Sequence, residues 1–264
     1  MKSLKKFFLK KFNEIYLKFL YLCNFKMKKA NKIIFFTLLS VISLVINSCS
    51  TDILWDRRLS EGVIEFAVSY PEMDPDDVML DFLPNTMTMK FKDNKFTTEL
   101  SAGMGMFKTK FISDCINKKL IQAVKLINKQ YYTEYDEEGV KRLNKDYSDF
   151  YIIDVPGIKE VAGYHCQQKL IMFNEVGHDS FYLYYTEDIK IENANWSFPF
   201  SDIPGVPLKY RIERNGIVME FLALKVLEEK VDEATAFQVE EGYEKISNEK
   251  MEKELDAVFE SITF

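Results

Sequence analysis

Side chains able to do chemistry are sparse in this chain. His165 and His178 are its two histidines, and either could serve as a base or a metal ligand. No Ser-His-Asp arrangement is suggested around them, and each falls in a strand or hairpin context, where an edge or surface histidine is the ordinary occupant. The acid pairs Asp76-Asp77 and Glu137-Glu138 could act as acid and base, but a helix start and a solvated loop account for them. The chain contains no G-x-S-x-G, P-loop, dinucleotide fingerprint or H-E-x-x-H motif. Gly103-Met104-Gly105 is too short to cradle a phosphate and reads as a bulge or bend. The four cysteines (Cys23, Cys49, Cys115 and Cys166) show no C-x-x-C or Cys/His metal spacing. On these grounds the expectation is no enzyme, no metal and no cofactor.

The cysteine whose surroundings do specify chemistry is Cys49. A basic head (Lys28, Lys29, Lys32) precedes an apolar run from Ile33 to Ile46, broken only by Thr37, Ser40 and Ser43, and Asn47 and Ser48 then lead into Cys49. The run falls short of the roughly 18–20 residues a membrane span needs, so the order reads as a secretory signal. Ile46-Asn47-Ser48-Cys49 resembles the lipobox of bacterial lipoprotein signals. That resemblance implies a diacylglycerol thioether on Cys49, which becomes the first residue of the mature protein. It also implies a lipid anchor in the cell envelope, expected at the outer membrane, with the periplasmic or surface face left open.

Residues 1–26 are basic and aromatic and precede a signal that begins with its own methionine, Met27. They read as a misassigned N-terminal extension; the other reading is a basic amphipathic helix lying on a membrane. The expected organisation is therefore 1–26 extension, 27–48 signal peptide, 49–60 tether and 61–264 one domain. Export places Cys115 and Cys166 in an oxidising context, where the two thiols can pair if their Cα atoms come within about 7 Å. Sequence leaves that pairing open.

The net charge of −6 hides an asymmetry. Residues 1–48 hold ten Lys and one acid, so the remainder carries 25 basic and 40 acidic residues, a net charge of −15. A domain that acidic is a poor nucleic-acid ligand, because such affinity rests on neutralising phosphates.

The elements that would position any site are mostly strands. Ile64, Phe66, Val68 and Tyr70 alternate with Glu65, Ala67 and Ser69, the period-two pattern of a strand with one buried face. Similar runs follow at 86–92, 95–100, 106–113, 119–127, 130–136, 150–155, 164–173, 180–188, 208–214 and 217–228, with 235–239 as a final candidate. Asp93-Asn94 and Asn215-Gly216 mark hairpin turns. Asp74, as an N-cap before Pro75, predicts a short helix over 75–82. Residues 136–149 read as a polar loop. Tyr243, Ile246, Met251, Leu255, Val258, Phe259 and Ile262 recur at helical steps, predicting an amphipathic helix over 240–262. The fold class is mainly β with helices (α+β): a curved antiparallel sheet or unclosed half-barrel, with a short early helix and a C-terminal amphipathic helix that covers its open face.

Methionine and phenylalanine crowd the first half of this sheet. Strand alternation puts Phe66, Met87, Met89, Phe91, Phe107 and Phe111 on inward-facing positions, where they can line a cavity for an apolar ligand or simply fill an irregular core.

Three segments carry a wider resemblance: Glu61-Gly62-Val63-Ile64-Glu65-Phe66, the stretch Ile158 to Gln168 (IKEVAGYHCQQ), and Ile203-Pro204-Gly205-Val206-Pro207-Leu208. They make the chain similar to envelope lipoproteins of Bacteroidota of the GLPGLI type, although Val206 replaces a leucine and the last motif departs at Lys209. Those proteins look similar in strand order to the lipoprotein carriers LolA and LolB, which implies an unclosed barrel lidded by helices, with an apolar cavity that takes acyl chains. The functional expectation is a lipid-anchored envelope protein that binds lipid or another apolar ligand in a half-barrel. The alternative is a surface or periplasmic lipoprotein with a filled core that docks a partner protein.

Overall fold

In a computed structural model, residues 56–262 are described, apart from 146, 148, 175–178 and 215. The signal, the extension, Cys23, Cys49 and His178 lie outside the described residues. The strands follow the alternation of the sequence. In β1 (Glu61–Ser69) the buried positions are every second residue, and in β2 (Thr86–Lys92) they are Met87, Met89 and Phe91. The remaining strands are β3 (Lys95–Ala102), β4 (Phe107–Asp114), β5 (Lys119–Leu126), β6 (Lys129–Tyr135), β7 (Phe150–Val161), β8 (Tyr164–Phe173), β9 (Phe181–Thr186), β10 (Val206–Arg214), β11 (Ile217–Leu227) and the two-residue β12 (Glu244–Lys245). The β2–β3 turn places both Asp93 and Asn94 at positive φ, the geometry of a tight hairpin, which short polar side chains tolerate.

All twelve strands join one sheet in the order β12-β6-β5-β4-β3-β2-β1-β11-β10-β9-β8-β7. Every neighbouring pair is antiparallel except β12 with β6. β7 and β12 are edges that do not pair with each other, so the sheet is an unclosed half-barrel.

The main core lies on the inner face, and the long connection between β9 and β10 fills a large part of it. Ile189, Ile191, Ala194, Phe200 and Ile203 of that connection are buried against Ile64, Phe66, Met89 and Phe91. Three devices hold it there. Asn195 donates through Nδ2 to the carbonyls of Ile203 and Gly205, both at 2.7 Å. Trp196 Nε1 donates to Ser113 Oγ on β4 at 2.8 Å. Phe200 sits edge-on to Tyr147, Phe150 and Phe181, with ring centres 5.7, 5.2 and 5.8 Å away, an arrangement the ring quadrupoles favour.

The second cover is the C-terminal segment, which first crosses the outer face. Val231 N–H donates to Glu61 Oε1 at 2.7 Å. A short helix α2 (Glu233–Ala236), capped by Asp232, lies where a strand was expected at 235–239. Lys110, on the opposite side of β4 from Phe111, donates to the carbonyls of Thr235 and Gln238. Ile246 N–H then joins the β6 edge at Tyr132 O, 2.9 Å away. The chain ends in α3 (Asn248–Ile262), whose Met251 is fully buried against Val124 and Leu126.

The structure departs from the sequence reading in four further places. The early helix is not an α-helix: a 3-10 turn at Val78–Phe82, capped by Asp77, takes its place, and Asp74 instead accepts from Asp76 N–H in a local turn. None of its residues is buried, so no packing lengthens it. The polar loop contains α1 (Glu137–Leu143), capped by Asp136 at 2.7 Å from Gly139 N–H and too short to show helical periodicity. α3 starts at Asn248 rather than 240, because Gly242 has φ +93° and the chain then pairs with β6. β7 runs six residues beyond the expected Val155, past a bulge at Pro156-Gly157.

The three motifs have structural reasons. A Cβ on Gly62 would meet Leu227 O at 2.6 Å, and one on Gly205 would meet Thr186 O at 2.5 Å. Ala162-Gly163 form the β7–β8 turn, both at positive φ. Gly205→Ala is expected to destabilise the fold by about 1–3 kcal/mol through this backbone clash, read as a lowered denaturant midpoint; an unchanged midpoint would show that the β9–β10 connection tolerates displacement.

Candidate functional site

Where the connection stops covering the inner face, a cavity of about 690 Å³ remains, within the range of small-ligand sites. Met87, Leu100, Phe107 and Phe111 form its wall on β2–β4, and Tyr210, Met219 and Phe221 form the wall on β10–β11. Phe198 and Tyr147 cover it from one side, and Leu255 and Val258 of α3 from another. Its charged groups include Arg142, Arg214, Glu213, Glu252 and Asp256. Arg214 donates to Leu143 O at 2.9 Å and to Asn144 Oδ1 at 2.6 Å, tying the end of α1 to β10.

Burial sets the state of the cavity's phenols. Desolvation pushes the Tyr135 hydroxyl up to about 12, and the same cause raises Tyr70, Tyr147 and Tyr210. These groups are neutral hydrogen-bonding partners near neutral pH. Tyr70 donates to Pro84 O at 2.7 Å and Tyr135 to Gln122 Oε1 at 3.0 Å.

Of the six apolar residues singled out in the sequence, Met87, Phe107 and Phe111 line the cavity. Phe66, Met89 and Phe91 face the same way but lie in solid core, 1%, 7% and 0% exposed. Strand alternation selects a face; it carries no information on which stretch of that face the β9–β10 connection will cover. The sequence reading missed Tyr210, Phe221 and Tyr147. The helical period of α3 was the one available signal for Leu255 and Val258.

Cys115 and Cys166 are both buried free thiols rather than a bridge. Cys115 lies 3.7 Å from Ser113 Oγ, and Cys166 points at Tyr164 O, 3.6 Å away. Burial pushes the Cys115 thiol from 9.0 up to about 12 and the Cys166 thiol up to about 11. His165 is exposed on β8, opposite Glu160 of the edge strand β7. Among the described residues no three His, Cys, Asp or Glu side chains are placed to hold a metal.

The fold and site define a class: an unclosed antiparallel half-barrel with its concave face partly plugged and partly open as an apolar cavity. No known protein family matches the chain, and no curated protein matches it. Among solved structures, MucB in complex with MucA(peri) is similar at 12% identity with a TM-score of 0.30, over 70% of this chain and 56% of that one; the aligned part thus spans little more than half of that protein. No family match supports the likeness to GLPGLI-type lipoproteins expected from the three short motifs.

Both thiols are expected to resist a thiol-reactive dye at about pH 8 while the protein is folded and to react after unfolding, because the thiolate is the nucleophile. Fast labelling of the folded protein, or a dye-resistant bond cleaved only by reductant, would contradict this assignment.

Proposed function

We propose that this is a non-enzymatic, lipid-anchored protein of the cell envelope that holds a lipid or another apolar ligand in its half-barrel. The observation that carries the reading is the cavity of about 690 Å³ walled by Met, Leu, Phe and Tyr side chains. A core free to close would collapse on such a space, because apolar voids forfeit packing contacts. Here the backbone of twelve paired strands and the clamped β9–β10 connection hold the walls apart. The address rests on the segment Met27 to Cys49.

A second reading, a lipoprotein that docks a partner protein, is supported by a different observation. Tyr151, Met172, Tyr182, Leu222 and Leu224 are exposed on the β7–β11 half of the sheet, an uncommon concentration of apolar surface.

The cavity reading predicts that the protein expressed from residue 50 onward binds an environment-sensitive naphthylamine dye and carries lipid detectable by mass spectrometry after organic extraction. Leu100→Trp, which fills the cavity from β3, is expected to weaken dye binding at least about tenfold with little change in melting temperature. Equal binding by this variant would place the ligand elsewhere. In the full chain, Cys49→Ala is expected to abolish incorporation of labelled palmitate and release the protein from membranes; retained label would remove the anchor from the proposal.

A further inference from the structure

The cavity wall is not uniformly apolar. On β3, β4 and β5 the inward residues pair across strands as Thr98–Phe111–Gln122, and Thr109 lies in the next row, opposite Leu100. Neighbouring strands are about 4.8 Å apart, so Thr98 and Gln122 stand roughly 10 Å from each other on either side of Phe111. Thr98, Thr109 and Gln122 all line the cavity.

Thr98 and Gln122 are each only 6% exposed. Gln122 Oε1 is occupied by the Tyr135 hydroxyl. Among the described residues, however, neither Gln122 Nε2 nor Thr98 Oγ1 has a hydrogen-bond partner. Neither belongs to the polar atoms sealed off without a partner, which are Thr97 Oγ1 and Asn195 Oδ1. Both groups therefore open onto the cavity. Buried donors are nearly always paired, so a wall that keeps two of them unmatched beside Phe111 is completed by what enters.

The donors are neutral. Arg214, the guanidinium nearest in sequence to the β10 wall, is already committed to Leu143 and Asn144, and Arg142 and Lys145 are exposed. A carboxylate at the Thr98–Gln122 row would be buried without a cation, at high cost; a neutral carbonyl would not. Resting on the cavity reading above, we infer that the ligand is an acyl ester or amide, with its neutral carbonyl group held at the Thr98–Gln122 row and its hydrocarbon chain along Leu100, Phe107 and Phe111.

The test is displacement of the naphthylamine dye by methyl undecanoate, dodecane and the undecanoate anion, on the wild type, on Thr98→Val and on Thr98→Val/Gln122→Leu. Comparing variants cancels the different solvation of the ligands. The double variant is expected to lose about tenfold in affinity for the ester and none for the alkane, while the anion binds the wild type more weakly than the ester. Thr98→Val leaves the Tyr135–Gln122 bond intact and is expected to show the same direction with a smaller loss, which separates the effect from misfolding. Equal changes for ester and alkane, or no change for either, would overturn the polar-row assignment while the cavity reading stands. Anion binding as tight as that of the ester would overturn the neutral-acceptor assignment. Failure of the dye and of all three ligands to bind the wild type would overturn the cavity reading, and this inference with it.

Discussion

The architecture depends on one contact: the docking of the β9–β10 connection onto the inner face of the sheet. A twelve-stranded open sheet exposes an apolar face that must be covered. Here the cover is a largely non-helical segment, which brings polar backbone groups into the core. Asn195 solves part of that problem by satisfying two carbonyls at once, and Gly205 lets the segment pass within reach of the Thr186 backbone. The residual cost is visible at Asn195 Oδ1, which is buried without a partner. Once this segment is fixed, one part of the concave face is solid and the rest cannot be filled by it. The cavity is the space that remains.

The C-terminal segment uses the other resource of the sheet, its outer face. Lys110 alternates with Thr109 and Phe111, so the strand that offers cavity wall on one side offers a buried ammonium on the other. That ammonium holds the carbonyls of Thr235 and Gln238 and lies 3.8 Å from Glu99. Lys92 adds ion pairs to Glu61 and Glu233 at 3.4 and 3.3 Å. Exposed pairs of this kind contribute little individually; their role is to set the path by which the chain crosses the outer face, rounds the β6 edge and delivers α3. The ordering of Leu255 and Val258 at the cavity thus begins with contacts on the opposite side of the sheet.

Most strands were legible because their period-two pattern is local. The alternation of Ile64, Phe66 and Val68, or of Met87, Met89 and Phe91, needs no knowledge of a partner strand. α1 was not legible, since seven residues with one buried aliphatic side chain, Val140, carry no periodic signal. The 3-10 turn at Val78–Phe82 was overread because Asp74-Pro75 is a good helix start whatever follows it. At the site, Met87, Phe107 and Phe111 were reachable from alternation. Tyr210 alternates inward with Leu208 and Ile212 and was reachable in the same way; Tyr147 was not, because it lies outside the strands and only tertiary packing brings it to the cavity. The cysteines illustrate the same limit: the signal-like segment suggested that Cys115 and Cys166 could pair, but whether the β4–β5 turn and β8 present their sulfurs to each other is a three-dimensional matter.

By itself the sequence determined the class of the fold, the inward face of each strand, the apolar character of whatever the sheet encloses, and a signal-like segment ending at Cys49. These follow from periodicity and residue chemistry over short windows. Only the tertiary structure decided that the interior is part plug and part cavity, that Phe66, Met89 and Phe91 belong to the first and Phe107 and Phe111 to the second, and that Gln122 Oε1 accepts from Tyr135 while Thr98 Oγ1 and Gln122 Nε2 face the cavity. The physical reason is that packing and hydrogen-bond satisfaction depend on which distant segment comes to lie against a face: Asn195 and Gly205 shape the β9–β10 connection locally, and Trp196 ties it to Ser113 on a strand remote in sequence.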